Sequence, residues 1–149
     1  MKTQKTLNKG QFKVDSMQLN SLEIQEPVRW MGPFLNYSGF ASEMLNFLVP
    51  LLGRVNVGAT HLNPAYYSKD YHQDLPDDVQ NAVEQLLARY NELSGGISIT
   101  HGPGDAVLGM PEDSEFRVLR TMFETDRIAP LSEELIKSVD EVWVPSKFN

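Results

Sequence analysis

The chain of 149 residues contains no cysteine. That removes disulfide frameworks, thiolate nucleophiles and cysteine-based zinc sites from consideration, and it fits a reducing compartment, with the cytoplasm as the expected location. Positive charge is also scarce: 13 Lys and Arg stand against 20 Asp and Glu, for a net charge of −7. Phosphate-backbone binding needs clustered basic residues, so neither nucleic acid nor an anionic membrane surface is expected as a partner. No apolar run is long enough for a transmembrane span, and the first residues lack the apolar core of a secretory signal. Internal repeats and low-complexity tracts are missing as well.

What remains is material for one α/β domain. Hydrophobic residues make up 41% of the chain and charged residues 22%, enough for a single core but not for two full domains. Residues 1–26, rich in Asn, Gln, Lys and Ser, read as a flexible basic tail in which Leu19, Leu22 and Ile24 offer a short packing element. Residues 27–149 read as a Rossmann-like domain.

Within that domain the pattern alternates. Val28 to Phe34 is short, apolar and ended by Gly and Pro, as a buried strand is. Phe40, Met44, Leu45, Leu48, Leu51 and Leu52 then recur at helical spacing, with Ser38 as N-cap and Pro50 stopping or kinking the last turn. Arg54 to Thr60 alternates as a second strand, and His61 to Leu75 reads as a long polar loop. A second helix is expected with Asp77 and Gln80 at capping-box spacing and Val79, Val83, Leu86, Leu87, Tyr90 and Leu93 on one face, ended by Ser94-Gly95-Gly96. Ile97 to Thr100 and Phe116 to Phe123 are further strands, separated by the His101-Gly-Pro-Gly104 loop and a polar connection. A short helix over Pro130 to Ser138, capped by Ser132, leads to a fifth strand at Glu141 to Val144.

Strands alternating with helices predict an open parallel sheet with helices on its faces. Ligands of such sheets sit beyond the carboxyl ends of the strands, where the strand order reverses. The loops at Gly32 to Gly39, His101 to Gly104, Glu124 to Arg127 and Ser146 all follow strands. Residues far apart in sequence therefore converge on one edge.

The segments Gly32-Pro-Phe-Leu-Asn-Tyr-Ser-Gly-Phe-Ala41, Arg120-Thr-Met-Phe-Glu-Thr-Asp-Arg127 and Val139-Asp-Glu-Val-Trp-Val-Pro-Ser-Lys-Phe148 resemble the N-terminal, acceptor-side domain of retaining nucleotide-sugar glycosyltransferases of the GT-B type. The likeness covers Pro27 to Asn149. It implies transfer of a sugar from a nucleotide-sugar donor to an acceptor hydroxyl with retention of configuration, in a cleft between two domains. It also implies no bound cofactor and no metal; the nucleotide-sugar is a substrate. The family's second Rossmann domain and its paired-glutamate phrase are missing from this sequence, so the chain reads as a fragment that is inactive alone and lacks its C-terminal domain as partner. The rival expectation is a non-catalytic carbohydrate- or nucleotide-binding module, or a subunit that pairs with a separate chain. The surface left bare by a missing domain would be apolar and would favour homodimers.

Each candidate residue has two readings. Gly32 and Gly39, with Ser38 between them, would form a donor-phosphate loop through main-chain N–H groups at a helix start, or would simply let a strand turn into a helix. Ser38 is first of all an N-cap. Asn36, Tyr37, His101, Glu124 and Ser146 are the candidates for acceptor or sugar contacts. His101 is equally a structural hydrogen-bonding group. Glu124 and Asp126 form a carboxylate pair that would suit a divalent metal or an Arg partner, Arg120 and Arg127 being at hand, and Glu124 is assigned to hydroxyl contacts instead. His61, Asp70, His72 and Asp74 include metal-ligating types, but no helical spacing fixes them. No Gly-x-Ser-x-Gly elbow supports a nucleophilic triad.

Overall fold

The computed structural model describes residues 26–63, 65, 67–122 and 130–145. Five parallel strands form one sheet: β1 (Val28–Met31), β2 (Val57–Thr60), β3 (Ile97–His101), β4 (Phe116–Arg120) and β5 (Glu141–Trp143), in the spatial order β2-β1-β3-β4-β5. Helices α1 (Gly39–Leu51), α2 (Lys69–Asp74), α3 (Asp77–Tyr90) and α4 (Pro130–Ile136) connect them, with a 3-10 helix at Gly104–Gly109 between β3 and β4. This is an α/β, Rossmann-like architecture. The chain steps from β1 to β2 on one side and returns past β1 to β3 on the other, so the order reverses between β1 and β3.

Alternation along the strands divides the core. Trp30, Val57, Ile99 and Val118 point to one face, where Met44, Leu45 and Leu48 of α1 and Val83 and Leu86 of α3 cover them. Met31 and Leu119 point to the other, beneath Val107 and Met110 of the 3-10 segment and Ile136 of α4. Both faces of the central strands are covered, so that even the polar Ser98 and Thr100 of β3 are fully buried.

Local chemistry explains most boundaries. Ser38 is the N-cap of α1, its Oγ accepting from Ala41 N–H at 3.1 Å. Pro50 lies inside α1, and the helix ends one residue later. Gly53, Gly95 and Gly96 have positive φ and make the turns after α1 and α3. At the amino edge of the sheet, buried Arg29 pairs with Asp113 at 2.8 Å, and Asp113 also accepts from Gly95 N–H at 2.8 Å.

Several expectations need correction. The segment His61 to Leu75 is not loop throughout, because Ser68 caps a short helix, α2, accepting from Tyr71 N–H at 3.2 Å. The capping box at Asp77 and Gln80 does not form. Pro76 is the N-cap of α3, and the Gln80 side chain donates instead to the Leu75 carbonyl at 2.7 Å. Proline at that point fixes the entry dihedral without a side-chain acceptor. Ser132 lies within α4 and does not cap it. The connection after His101 contains the 3-10 helix, and His101 itself is the last residue of β3. Strands β1 and β2 are shorter than their apolar runs: Phe34 leaves the sheet but stays in the core, and Val55 forms only an isolated bridge to Leu52. Residues 1–25 of the tail and the residues Glu124, Asp126, Arg127 and Ser146 lie outside the described residues.

Candidate functional site at the carboxyl edge

The loop after β1 is anchored before it reaches α1. Gly32 N–H donates to Thr60 of β2 at 3.1 Å, and the Gly32 carbonyl accepts from Phe34 N–H at 3.0 Å. Gly32 is buried, and a Cβ built on it would stand 2.6 Å from Met44 Sδ and 2.8 Å from the His101 carbonyl oxygen. Glycine is required there because the ends of β1 and β3 touch at the order reversal. Gly39 is the opposite case: it is exposed at the first position of α1, and nothing lies within 4 Å of an added Cβ. Of the two glycines, Gly39 leaves room for a ligand and Gly32 does not.

The segment after β2 packs against this loop. Ser68 N–H donates to the Leu35 carbonyl at 2.8 Å, the rings of Phe34 and His61 stack at 4.9 Å, and His61 meets Tyr67 edge-on at 5.7 Å. Tyr37 is 68% exposed, yet its hydroxyl is fixed. It donates to Asp74 at 2.7 Å while the ring meets Tyr71 edge-on at 5.0 Å. That hydrogen bond, more than any other influence, raises the pKa of the phenol. Asn36 is half-buried, and its Oδ1 has no partner among the described residues.

On the other side of the reversal stands an arrangement centred on Glu43. His101 and Arg120 occupy adjacent positions on the last rung of β3 and β4, both on the face beneath α1. Glu43, on α1, reaches between them: one carboxylate oxygen pairs with His101 Nε2 at 2.8 Å and the other with the Arg120 guanidinium. The side chain of His101 is completely buried and that of Arg120 nearly so, whereas Glu43 remains 30% exposed. Arg120 also donates to the carbonyls of Thr121 and Trp143, both at 3.3 Å. Phe40 meets His101 edge-on at 5.6 Å, and Phe47 stacks on Trp30 at 5.8 Å.

Burial lowers the pKa of His101; Arg120 pushes the same way, and the hydrogen bond and charge of Glu43 oppose them without reversing the direction. The imidazole is thus neutral at neutral pH. A carboxylate can only accept, so His101 donates from Nε2 and carries its lone pair on Nδ1, which is buried and has no partner among the described residues. Burial likewise lowers the pKa of His61.

The structure therefore brings Gly32, Asn36, Tyr37, Ser38, Gly39 and His101 to one edge of the sheet, while Glu124 and Ser146 lie outside the described residues. Arg120, read from sequence as a partner for Glu124 or Asp126, is held by Glu43. Glu43 and Tyr71 escaped the sequence reading as site residues, and Asp74, weighed there only as a metal-ligating type, instead accepts from the Tyr37 hydroxyl. A signal for Glu43 existed: it sits three residues after Phe40 and four before Phe47, a charge inside an aromatic helical stripe. Among the described residues no group of three or more His, Cys, Asp and Glu could hold a metal ion, and no helix is long and apolar enough to cross a membrane. The chain matches no family profile, no curated protein and no solved structure.

Proposed function

We propose that the chain is the acceptor-side half of a retaining glycosyltransferase that uses a nucleotide-sugar donor. The observation that carries this reading is the convergence of the Gly32–Gly39 loop, the amino end of α1 and the Glu43–His101–Arg120 cluster at the order reversal between β1 and β3. Unsatisfied N–H groups at the start of α1 favour a donor phosphate near Ser38 and Gly39, and the first turn carries no acidic residue to repel it. Asn36 and Tyr37, with Glu124 and Ser146, contribute acceptor or sugar contacts in this reading, and His101, fully buried, acts through its pairing with Glu43. Retention then needs orientation and charge stabilisation more than a protein nucleophile.

In this reading, transfer needs a second, donor-binding domain. The coding sequence after Asn149 tests this: a second α/β pattern with paired glutamates supports the enzyme, and a stop codon contradicts it. A specific feature favours a second reading, a binding module or subunit that associates with another chain. Edge strand β5 exposes Val142 and Trp143, with Val144 just beyond them, and Leu131 of α4 is 67% exposed. Such a surface suits a homodimer or a separately supplied domain. A cytoplasmic location accords with the missing cysteines.

A further inference from the structure

Glu43 is the exposed member of a cluster whose other members are buried. A carboxylate offers about four lone-pair positions. One is filled by His101 Nε2 and one by Arg120, and the side chain keeps 30% of its surface toward solvent. Arg120 faces Glu43 from within the sheet and fixes the orientation of the carboxylate through an ion pair with one of its oxygens. His101 adds a neutral donor. Neither partner can move freely, because Arg120 is tied to the Thr121 and Trp143 carbonyls and His101 is packed against Phe40.

We propose that Glu43 is the ligand-facing acceptor of this site, using its unfilled lone pairs to bind a pair of neighbouring hydroxyls on a sugar, with His101 and Arg120 as positioning residues that hold its carboxylate in place. A vicinal diol matches a carboxylate edge, and a charge-assisted hydrogen bond of this kind is stronger than one to a neutral amide. The identity of the ligand rests on the glycosyltransferase reading; the arrangement behind Glu43 does not.

Glu43→Gln separates the two. Arg120 only donates, so the amide oxygen must face it and the amide NH2 must face His101. The imidazole then has to accept at Nε2 and carry its proton on Nδ1. Long-range 1H–15N spectra of the three histidine rings at pH 7.5, without ligand, report the tautomer directly. Nε2–H in the wild type and Nδ1–H in Glu43→Gln, with the amide spectrum otherwise preserved, is the expected result. A wild-type His101 that is Nδ1–H or doubly protonated overturns the arrangement, and this holds even if the variant does not fold.

UDP-glucose titrated into both proteins then tests the ligand. Glu43→Gln should weaken binding about tenfold, the size of one charge-assisted hydrogen bond. Shifts at Ser38 and Gly39 with equal affinity in both proteins would overturn the role of Glu43 and leave the glycosyltransferase reading standing. No binding to the wild type would instead overturn that reading, and with it the sugar as ligand.

Discussion

Gly32 and His101 stand back to back where the strand order reverses: a Cβ on Gly32 would lie 2.8 Å from the His101 carbonyl oxygen and 3.0 Å from its Cβ. The obstacle is backbone, which cannot swing aside as a side chain can. Gly32→Ala should therefore destabilise the fold by about 1–3 kcal/mol through overpacking. Gly39→Ala meets open space at a helical position without positive φ, and should be neutral or stabilising by roughly 0.5 kcal/mol. Urea denaturation of the two variants distinguishes them, and equal losses would refute the contrast.

Removing the carboxylate at Glu43 leaves two buried basic side chains without their acceptor. Glu43→Ala should cost about 2 kcal/mol, below the range for a fully buried pair because Glu43 keeps access to water. Thermal unfolding measures the loss. A change below roughly 0.5 kcal/mol would place the pair among surface ion pairs of little consequence.

The histidines make stability fall in acid. His101 and His61 both have folded-state pKa values below the ordinary imidazole value. The unfolded chain consequently takes up protons that the folded chain refuses. Their contribution is present above about pH 6.5 and is lost as pH falls from there toward the folded values, at no more than about 1.4 kcal/mol per pH unit for each proton. Urea midpoints at pH 7.5 and 5.5 should differ, with the lower midpoint at pH 5.5. A flat or rising profile over that interval would contradict the burial of neutral imidazoles.

Among the described residues strand β5 has no strand partner on its outer edge, beside exposed Val142 and Trp143. Copies of the chain should associate with rising concentration in sedimentation velocity, and Trp143→Lys should reduce that association at least severalfold by placing charge on the edge. Concentration-independent monomers would remove the basis for a homodimer through this surface.

Periodicity made the architecture legible. The stripe from Phe40 to Leu52, the cap at Ser38 and the glycine pair at Gly95 and Gly96 each express a local rule, and each is realised. The failures have physical reasons. Helix α2 has no buried residue and its six residues are too few to show an apolar stripe. The capping box lost because Pro76 occupies the position it required. At the site, single residues such as Gly32, Ser38 and His101 could be read from neighbouring glycines and strand ends. Glu43 with Arg120, and Tyr37 with Asp74, are separated by 77 and 37 residues and become visible only when the sheet and helices assemble them.

The central claim, a nucleotide-sugar site at the reversal between β1 and β3, is tested most directly by amide NMR during titration with UDP-glucose and GDP-mannose. The account predicts shifts at Ser38 and Gly39, at the amino end of α1, extending to Gly32 and His101, at millimolar ligand. Unchanged resonances at all of these positions for both ligands would contradict it.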